Sequence, residues 1–291
     1  MTTEKGISLI GVDLGGTKVA VGKIHSGELT EQRSALIDQS STDPMDAVRL
    51  MRDLIGQLMN SHVKGIGVGV PGLVNRDWGI VYDVLNIPNW KKVPLKSLLQ
   101  EKFKVPVCID NDANCFAMGE YRFGRYAGHD DFVGITLGTG MGSGIIKNGA
   151  LLPDAHCCSG EFGTMPYLDG IFENYTSGMY FKMKYGKNGE EVAEKALNGE
   201  PWARQAYREM GTHLGKAIQT IIMSVDPPLV IIGGSVAKAR ELFEETMWLS
   251  IRQIPFPSVL EDFRVVFSDT EHIAIKGAAA LCPTDEPKTR N

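Results

Sequence analysis

Four short stretches carry residue types that can do chemistry. CIDNDANC, residues 108 to 115, sets Asp110, Asn111, Asp112 and Asn114 at the end of an apolar run. Such residues often form turns or cap helices, and Asp112 is a candidate N-cap. The carboxyl end of a parallel-type strand is also where α/β folds put their chemistry, and a carboxylate there is a candidate general base. DLGGTK, residues 13 to 18, reads alone as a hairpin turn, but its backbone N–H groups suit phosphate oxygens. In that reading Asp13 is available to hold hydrated Mg²⁺, and Thr17 can donate to an oxygen. LGTGMGSG, from Leu137, is a second glycine-rich turn, and two such hairpins are a costly way to make mere turns.

The fourth stretch, DAHCCSGEFGT, residues 154 to 164, resists a metal reading, because adjacent cysteines do not easily chelate one tetrahedral ion. A small buried cysteine is the commoner outcome. Glu161, between glycines, has less to recommend it as a core residue and suits the hydroxyls of a polyol. GVGVPG, residues 67 to 72, matches a dinucleotide fingerprint in letters only. That pattern needs a helix to open inside it, and Pro71 followed by GLVNRDWGIVY has no helical period. No GxxxxGK[ST] phosphate loop is present.

Elements that would position these residues follow from periodicity. ISLIGVD, a glycine turn and VAVGKI read as strand, turn, strand. In DPMDAVRLMRDLIGQLMN, Asp43 is the expected cap, Pro44 the first helical residue, and apolar residues recur at three and four. GIGVGV and VPVCID read as strands, Pro94 to Phe103 and ANCFAMGEYRFG as helices. DFVGITLG and SGIIKNGAL form a second hairpin pair, with Asn148-Gly149 as a two-residue turn. A long helix from Trp202 to Ser224, the strand LVIIGG, a further helix and the small-residue helix IKGAAAL complete the chain. IGVDLGGTKVAVGKI and VGITLGTGMGSGIIK overlay without a gap, Gly11 on Gly134, Asp13 on Thr136 and Gly15 on Gly138. A duplicated α/β domain with facing glycine turns would grip a polyanion from two sides.

The 291 residues favour two domains, and a net charge of −5 with no basic tract argues against nucleic acid. No apolar run is long enough for a signal sequence or a membrane span. Five cysteines without CxxC spacing fit a reducing compartment, so a cytoplasmic protein is expected.

Together the motifs resemble the ROK family of sugar kinases and sugar-responsive repressors, within the actin-like and hexokinase-like ATPases. DLGGTK, GVGVPG, LNIPNW, CIDNDANC, ITLGTGMGSGII, SGEFG, FENYTSG, DPPLVIIGG and KGAAAL fall in the family's order over nearly the whole chain. The resemblance implies two RNase H-like domains around a cleft, residues 1–118 completed by 271–283, and residues 119–270. It implies Asp112 as catalytic base and sugar ligand, with Asn86, Asn111, Glu161, Thr164 and Glu173 as further sugar-binding positions. Gly15, Gly16, Thr17 and Lys18, then Gly138, Thr139 and Gly140, match the phosphate loops, and Gly233 and Gly234 the nucleotide turn. ATP and Mg²⁺ are the implied cofactors, Asp13 holding Mg²⁺ through water, and a homodimer the implied assembly.

One segment departs from the family. Members usually follow the glutamate loop with a histidine and three cysteines that bind a structural zinc. Here Thr164 stands at the histidine position, and only MPYLDGI separates it from FENYTSG. No structural zinc is therefore expected, and Thr164, smaller than histidine, leaves room for a bulkier sugar substituent. The leading expectation is phosphorylation of a hexose hydroxyl, glucose O6 first, with fructose, mannose, allose or an N-acetylhexosamine as alternatives. The rival of another class is a non-catalytic sugar sensor. Repressors carry a DNA-binding helix-turn-helix ahead of the first phosphate loop, and a first strand opening near Ile7 argues against one.

Overall fold

The computed structural model describes residues 6 to 84, 87 and 89 to 283. In chain order the elements are β1 (Ser8–Leu14), β2 (Lys18–His25), β3 (Glu28–Leu36), α1 (Asp46–Leu58), β4 (Val63–Val70), β5 (Leu73–Asn75), β6 (Ile80–Tyr82), β7 (Lys92–Val93), α2 (Leu95–Phe103), β8 (Val107–Asn111) and α3 (Asp112–Phe123). There follow β9 (Phe132–Leu137), β10 (Met141–Lys147), β11 (Ala150–Leu151), β12 (Pro166–Tyr167), β13 (Gly170–Ile171), α4 (Glu173–Thr176), α5 (Gly178–Tyr185), α6 (Gly189–Leu197) and α7 (Pro201–Val225). The chain closes with β14 (Leu229–Gly233), α8 (Glu244–Ile251), β15 (Arg264–Phe267) and α9 (Ile273–Ala280).

These elements form two compact units. The first takes the chain to Gly128, together with Pro153–Ser159 and the chain from Thr270; the second takes His129–Leu152 and Gly160–Asp269. The first unit runs past residue 118 because α3 continues to Phe123 and packs along α9. Its sheet has the order β3-β2-β1-β4-β8, with β1 antiparallel to β2 and parallel to β4. The second unit's sheet has the order β11-β10-β9-β14-β15, again with an antiparallel hairpin followed by parallel strands. The sequence overlay is thus a duplication of topology. It keeps register only as far as the turns: residues 15 to 18 separate Leu14 from Val19, whereas only 138 to 140 separate Leu137 from Met141.

Each sheet buries an apolar layer. In the first unit, Ile10, Val12, Ile66, Val68 and Val107 pack with the α1 face Val48, Met51, Leu54, Ile55 and Leu58. In the second, Val133, Ile135, Val230 and Ile232 pack with Met210, Leu214, Ile218 and Ile221 of α7. Helix α1 starts at Asp46, later than the sequence pattern implies. The Asp43 carboxylate accepts from Met45 N–H at 2.8 Å, forming a turn ahead of the helix rather than capping it. Pro71-Gly72 leads into strand β5, as expected of a stretch without helical period, and Gly72 takes φ +98°. Asn148-Gly149 turns with both φ angles positive, the requirement of a two-residue hairpin. Strand β3, the β5-β6-β7 sheet and the β12-β13 hairpin carry no clear sequence period. No described helix is long and apolar enough to cross a membrane.

Candidate active site

In the first unit, β8 runs directly into α3, and the DNDAN motif occupies the junction. Asn111 caps the helix. Its Oδ1 accepts from Ala113 N–H at 2.9 Å and Asn114 N–H at 3.4 Å, and its Nδ2 donates to the Gly72 carbonyl at 3.3 Å. The cap therefore belongs to Asn111 and not to Asp112, because the strand ends one residue before the helix begins. Asn111 is buried with its amide engaged, so as placed it acts by fixing the helix start. Asp112 is the first helical residue, half-buried, with its Oδ1 accepting from Ala113 N–H at 2.9 Å. The side chain thus lies at the positive end of the helix dipole.

Asp110 is 3% exposed and fully engaged. It accepts from Arg76 Nε at 2.7 Å and Nη2 at 3.2 Å, from Asn114 Nδ2 at 2.8 Å and from Asn111 N–H at 2.8 Å. The second edge of the Arg76 guanidinium holds Asp154, whose two oxygens accept from Cys157 N–H at 3.1 Å and Ser159 N–H at 2.9 Å. Burial works against the Arg76 charge, but the Asp110 hydrogen bonds and charge outweigh it and hold the guanidinium firmly protonated. Asp154 and Arg76, not the histidine and cysteines, thus organise DAHCCS. Cys157 is buried, its thiol pushed up by burial and then by Asp110, while His156 and Cys158 are exposed.

The DLGGTK turn is closed by Gly15 N–H donating to the Lys18 carbonyl at 2.9 Å. Gln39 Nε2 holds the Gly16 carbonyl at 2.8 Å, and Ile37 N–H holds that of Thr17 at 2.8 Å. Because C=O and N–H oppose each other across a trans peptide, fixing the Gly16 carbonyl also fixes the Thr17 N–H on the other side of the turn. Thr17 and Lys18 are exposed. Burial raises the Asp13 carboxyl above its usual range, opposed by the Lys18 charge, and no described residue donates a hydrogen bond to it. A desolvated carboxylate without a donor suits a hydrated divalent cation.

The second unit gathers the remaining residues. Gly138 and Thr139 turn their carbonyls onto the start of α5, accepting from Gly178 N–H at 2.8 Å, Met179 N–H at 3.1 Å and Ser177 Oγ at 2.9 Å. The N–H groups of Thr139 and Gly140 therefore face the opposite way. Gly234, at φ +96°, lies so close to Leu137 that a Cβ there would overlap the Leu137 backbone, bringing the Gly233-Gly234 turn against this loop. A Cβ on Gly140 would fall on the Glu173 carboxylate, and Glu173 Oε2 accepts from Met141 N–H at 3.0 Å. Glu161 is half-buried, its carboxyl raised first by burial and then by the negative charge of Glu173. Thr164 is exposed, its Oγ1 donating to the Glu161 carbonyl at 2.9 Å.

A phosphate-type turn, a carboxylate pair beside it and a helix-capped aspartate in a duplicated fold narrow the comparison. The ROK family model matches residues 9–285. The chain belongs to the ROK family. It is 28% identical to a glucokinase from Thermotoga maritima over 94% of this chain and 97% of that protein. It is also 28% identical to an N-acetyl-D-glucosamine kinase from Yersinia pseudotuberculosis, over 81% and 86%. The crystal structure of a ROK family glucokinase from Streptomyces griseus, in complex with glucose and AMPPNP, superposes with a TM-score of 0.80 at 28% identity, covering 94% of this chain and 98% of that one. The fold is the actin/hexokinase type of the ROK kinases, and these likenesses support a sugar kinase.

Asn86 of LNIPNW lies outside the described residues. Sequence reasoning passed over Arg76 and Tyr167, which lie outside the motifs, and over Asp154, which opens DAHCCSGEFGT beside the more conspicuous His156 and cysteines. Among the described residues no group of three His, Cys, Asp or Glu side chains is arranged to hold a metal ion.

Proposed function

We propose that this ROK protein transfers the γ-phosphoryl group of ATP to a hexose hydroxyl, with glucose O6 as the leading acceptor. The observation that carries the reading is within the second unit: the Gly138–Gly140 turn abuts Glu173, so anion-binding N–H groups and a polyol-binding carboxylate pair share one loop system. Glu161, Glu173 and Thr164 would orient the sugar, Asn86 would add a further contact, and Asn111 would hold Asp112 in place.

In the reaction the sugar oxygen bonds to the γ-phosphorus as the bond from that phosphorus to the β,γ-bridging oxygen breaks, ADP leaves, and the hydroxyl proton passes to Asp112. The transition state is loose, so most of the acceleration comes from positioning and charge stabilisation. Backbone N–H groups of Gly16, Thr17, Thr139 and Gly140, with Lys18, would meet the phosphate oxygens, Gly15 would close the first turn, and Gly233 and Gly234 would pass close to the nucleoside. Asp13 would hold Mg²⁺ through water, and the ion supplies neutralising charge on the phosphates. The residues 1–118 with 271–283 would carry the base and first phosphate turn, and 119–270 the sugar carboxylates and second turn. A cytoplasmic homodimer completes the proposal, checked by fractionation and sedimentation.

A coupled assay of ADP release over glucose, fructose, mannose, allose and N-acetylhexosamines tests the reading. Hexose-dependent release is the expected result. Calorimetric sugar binding without release would replace the kinase by a non-catalytic sensor, and ATP turnover indifferent to every hexose would replace it by another ATPase.

A further inference from the structure

Glu161 and Glu173 stand at the two ends of one excursion of the second unit, residues 162 to 172, and that excursion has little to hold it. Of residues 164 to 169 all but Tyr167 are exposed. The β12-β13 hairpin consists of two residue pairs, Pro166 with Ile171 and Tyr167 with Gly170, around a turn at Leu168 and Asp169. A two-pair hairpin does not persist in water by itself.

What holds it is a cluster of rings, together with Tyr175 Oη donating to the Asp169 carboxylate and Ile171 N–H donating to Asn174 Oδ1 at 3.1 Å. Tyr167 stacks on Phe172 with centroids 4.2 Å apart and planes 15° apart, and Tyr175 meets the Tyr167 ring edge-on at 5.4 Å. Tyr167 Oη is hydrogen-bonded to Nδ1 of His213, 3.1 Å away on helix α7. His213 also packs on the Tyr175 ring at 5.0 Å. Phe172 immediately precedes Glu173, and its N–H donates to the Met165 carbonyl at 3.1 Å, closing the base of the hairpin. Met165 N–H in turn donates to the Phe162 carbonyl at 3.3 Å, and Thr164 N–H to that of Glu161 at 3.2 Å. Backbone bonds thus connect Tyr167 to both carboxylates, while its hydroxyl reaches the long core helix.

We propose that Tyr167, moored to His213 and stacked on Phe172, is a positioning residue that sets Glu161 and Glu173 at the spacing needed to grip the sugar. This rests on the sugar-kinase reading, since the carboxylates are its sugar ligands. A mooring of this kind acts on ground-state binding of the hexose. Glu173 also holds Met141 N–H beside the phosphate turn, but that turn has its own anchors on α5, so ATP binding is insulated from Tyr167.

Tyr167→Ala and Tyr167→Phe test it, compared by steady-state kinetics and by hydrogen exchange of the ligand-free protein. For Tyr167→Ala the expected hexose KM rises by about tenfold to 100-fold while the ATP KM and kcat stay within about threefold. Tyr167→Phe, which keeps the stack and loses the hydroxyl, is expected to recover most of that loss. Exchange in Tyr167→Ala is expected to accelerate about tenfold or more over residues 161 to 176 and to stay unchanged in α7. An unchanged hexose KM, or parallel losses in every kinetic constant with faster exchange throughout the unit, overturns the proposal. A wild-type protein without hexose-dependent ADP release sinks the kinase reading instead. The exchange pattern alone then decides whether Tyr167 holds the loop.

Discussion

Asp112 and Glu161 differ in what their charge costs the fold. Asp112 sits where a helix start favours a carboxylate, so Asp112→Asn should fold normally, bind hexose within about threefold of wild type and lose about 10²–10⁴-fold in kcat. Near-normal turnover in that variant would remove Asp112 from the base role. Glu161 is held above the ordinary carboxyl range by burial and by Glu173, so the folded state takes up its proton more readily than the unfolded chain. Stability from this group is therefore full below the ordinary carboxyl pKa and declines as pH rises through the raised value. Glu161→Gln should raise the Tm at pH 7, with the difference vanishing near pH 4, while kcat/KM for the hexose falls about 10–100-fold. A Tm lowered at pH 7 would contradict the electrostatic argument. His213 gives the opposite slope. Burial, then Lys184 against the opposing charge of Glu209, holds its imidazole neutral below the usual range, among the rings of Tyr167, Tyr175 and Tyr180. The unfolded chain takes up that proton below about pH 6.5, so this contribution is complete above that pH and lost on acidification. His213→Gln should flatten the fall in urea midpoint between about pH 7 and pH 5. Asp112, Glu161 and Glu173 were legible because each lies inside a contiguous motif. Arg76 was not: its partners Asp110 and Asp154 are 34 and 78 residues away, and no local pattern marks a lone arginine in a loop.

At the scale of elements, the paired hairpins were legible as a repeat because strand, glycine turn and strand leave an apolar period of two. The one-residue difference between the turns was not, since an ungapped overlay of glycine-rich letters does not register where pairing resumes. The IKGAAAL helix was legible as a helix, but its glycine has a purpose only packing reveals. A Cβ on Gly277 would land on the Cys115 carbonyl of α3, and Gly119 meets the Ile273 backbone in the same crossing. Helix propensity alone would favour Gly277→Ala by about 1 kcal/mol. The backbone clash should win, giving net destabilisation of about 1–3 kcal/mol in a denaturant titration. The β12-β13 hairpin was invisible as structure, though the absence of the family's histidine and three cysteines around it motivated the expectation of no structural zinc. Exhaustive chelation followed by Mg²⁺ should return full activity, with zinc well below one per chain by elemental analysis. One zinc per chain would place a metal where the sequence offers no cysteine.

For the whole molecule, composition bounded the class and the ordered motifs carried the family and the return of the last helix to the first unit, while the excursion of Pro153–Ser159 emerged only from packing. Pro153–Ser159 belongs with the first unit although both flanks belong to the second. Hydrophobic periodicity does not report such an excursion, because its ties are the ion pair of Asp154 with Arg76, the Val74 N–H donated to the His156 carbonyl at 3.1 Å and a lone Cys157 buried in the first unit's core. The return of α9 to pack on β1 and β4 has a temporal consequence. During synthesis on a ribosome, the second unit has all its described strands and helices once Asp269 has emerged, whereas β1 and β4 still wait for α9 with their glycine face, Gly11 and Gly67, uncovered. Maturation should therefore run from the middle of the chain outward, with Glu161 and Glu173 set before Asp112.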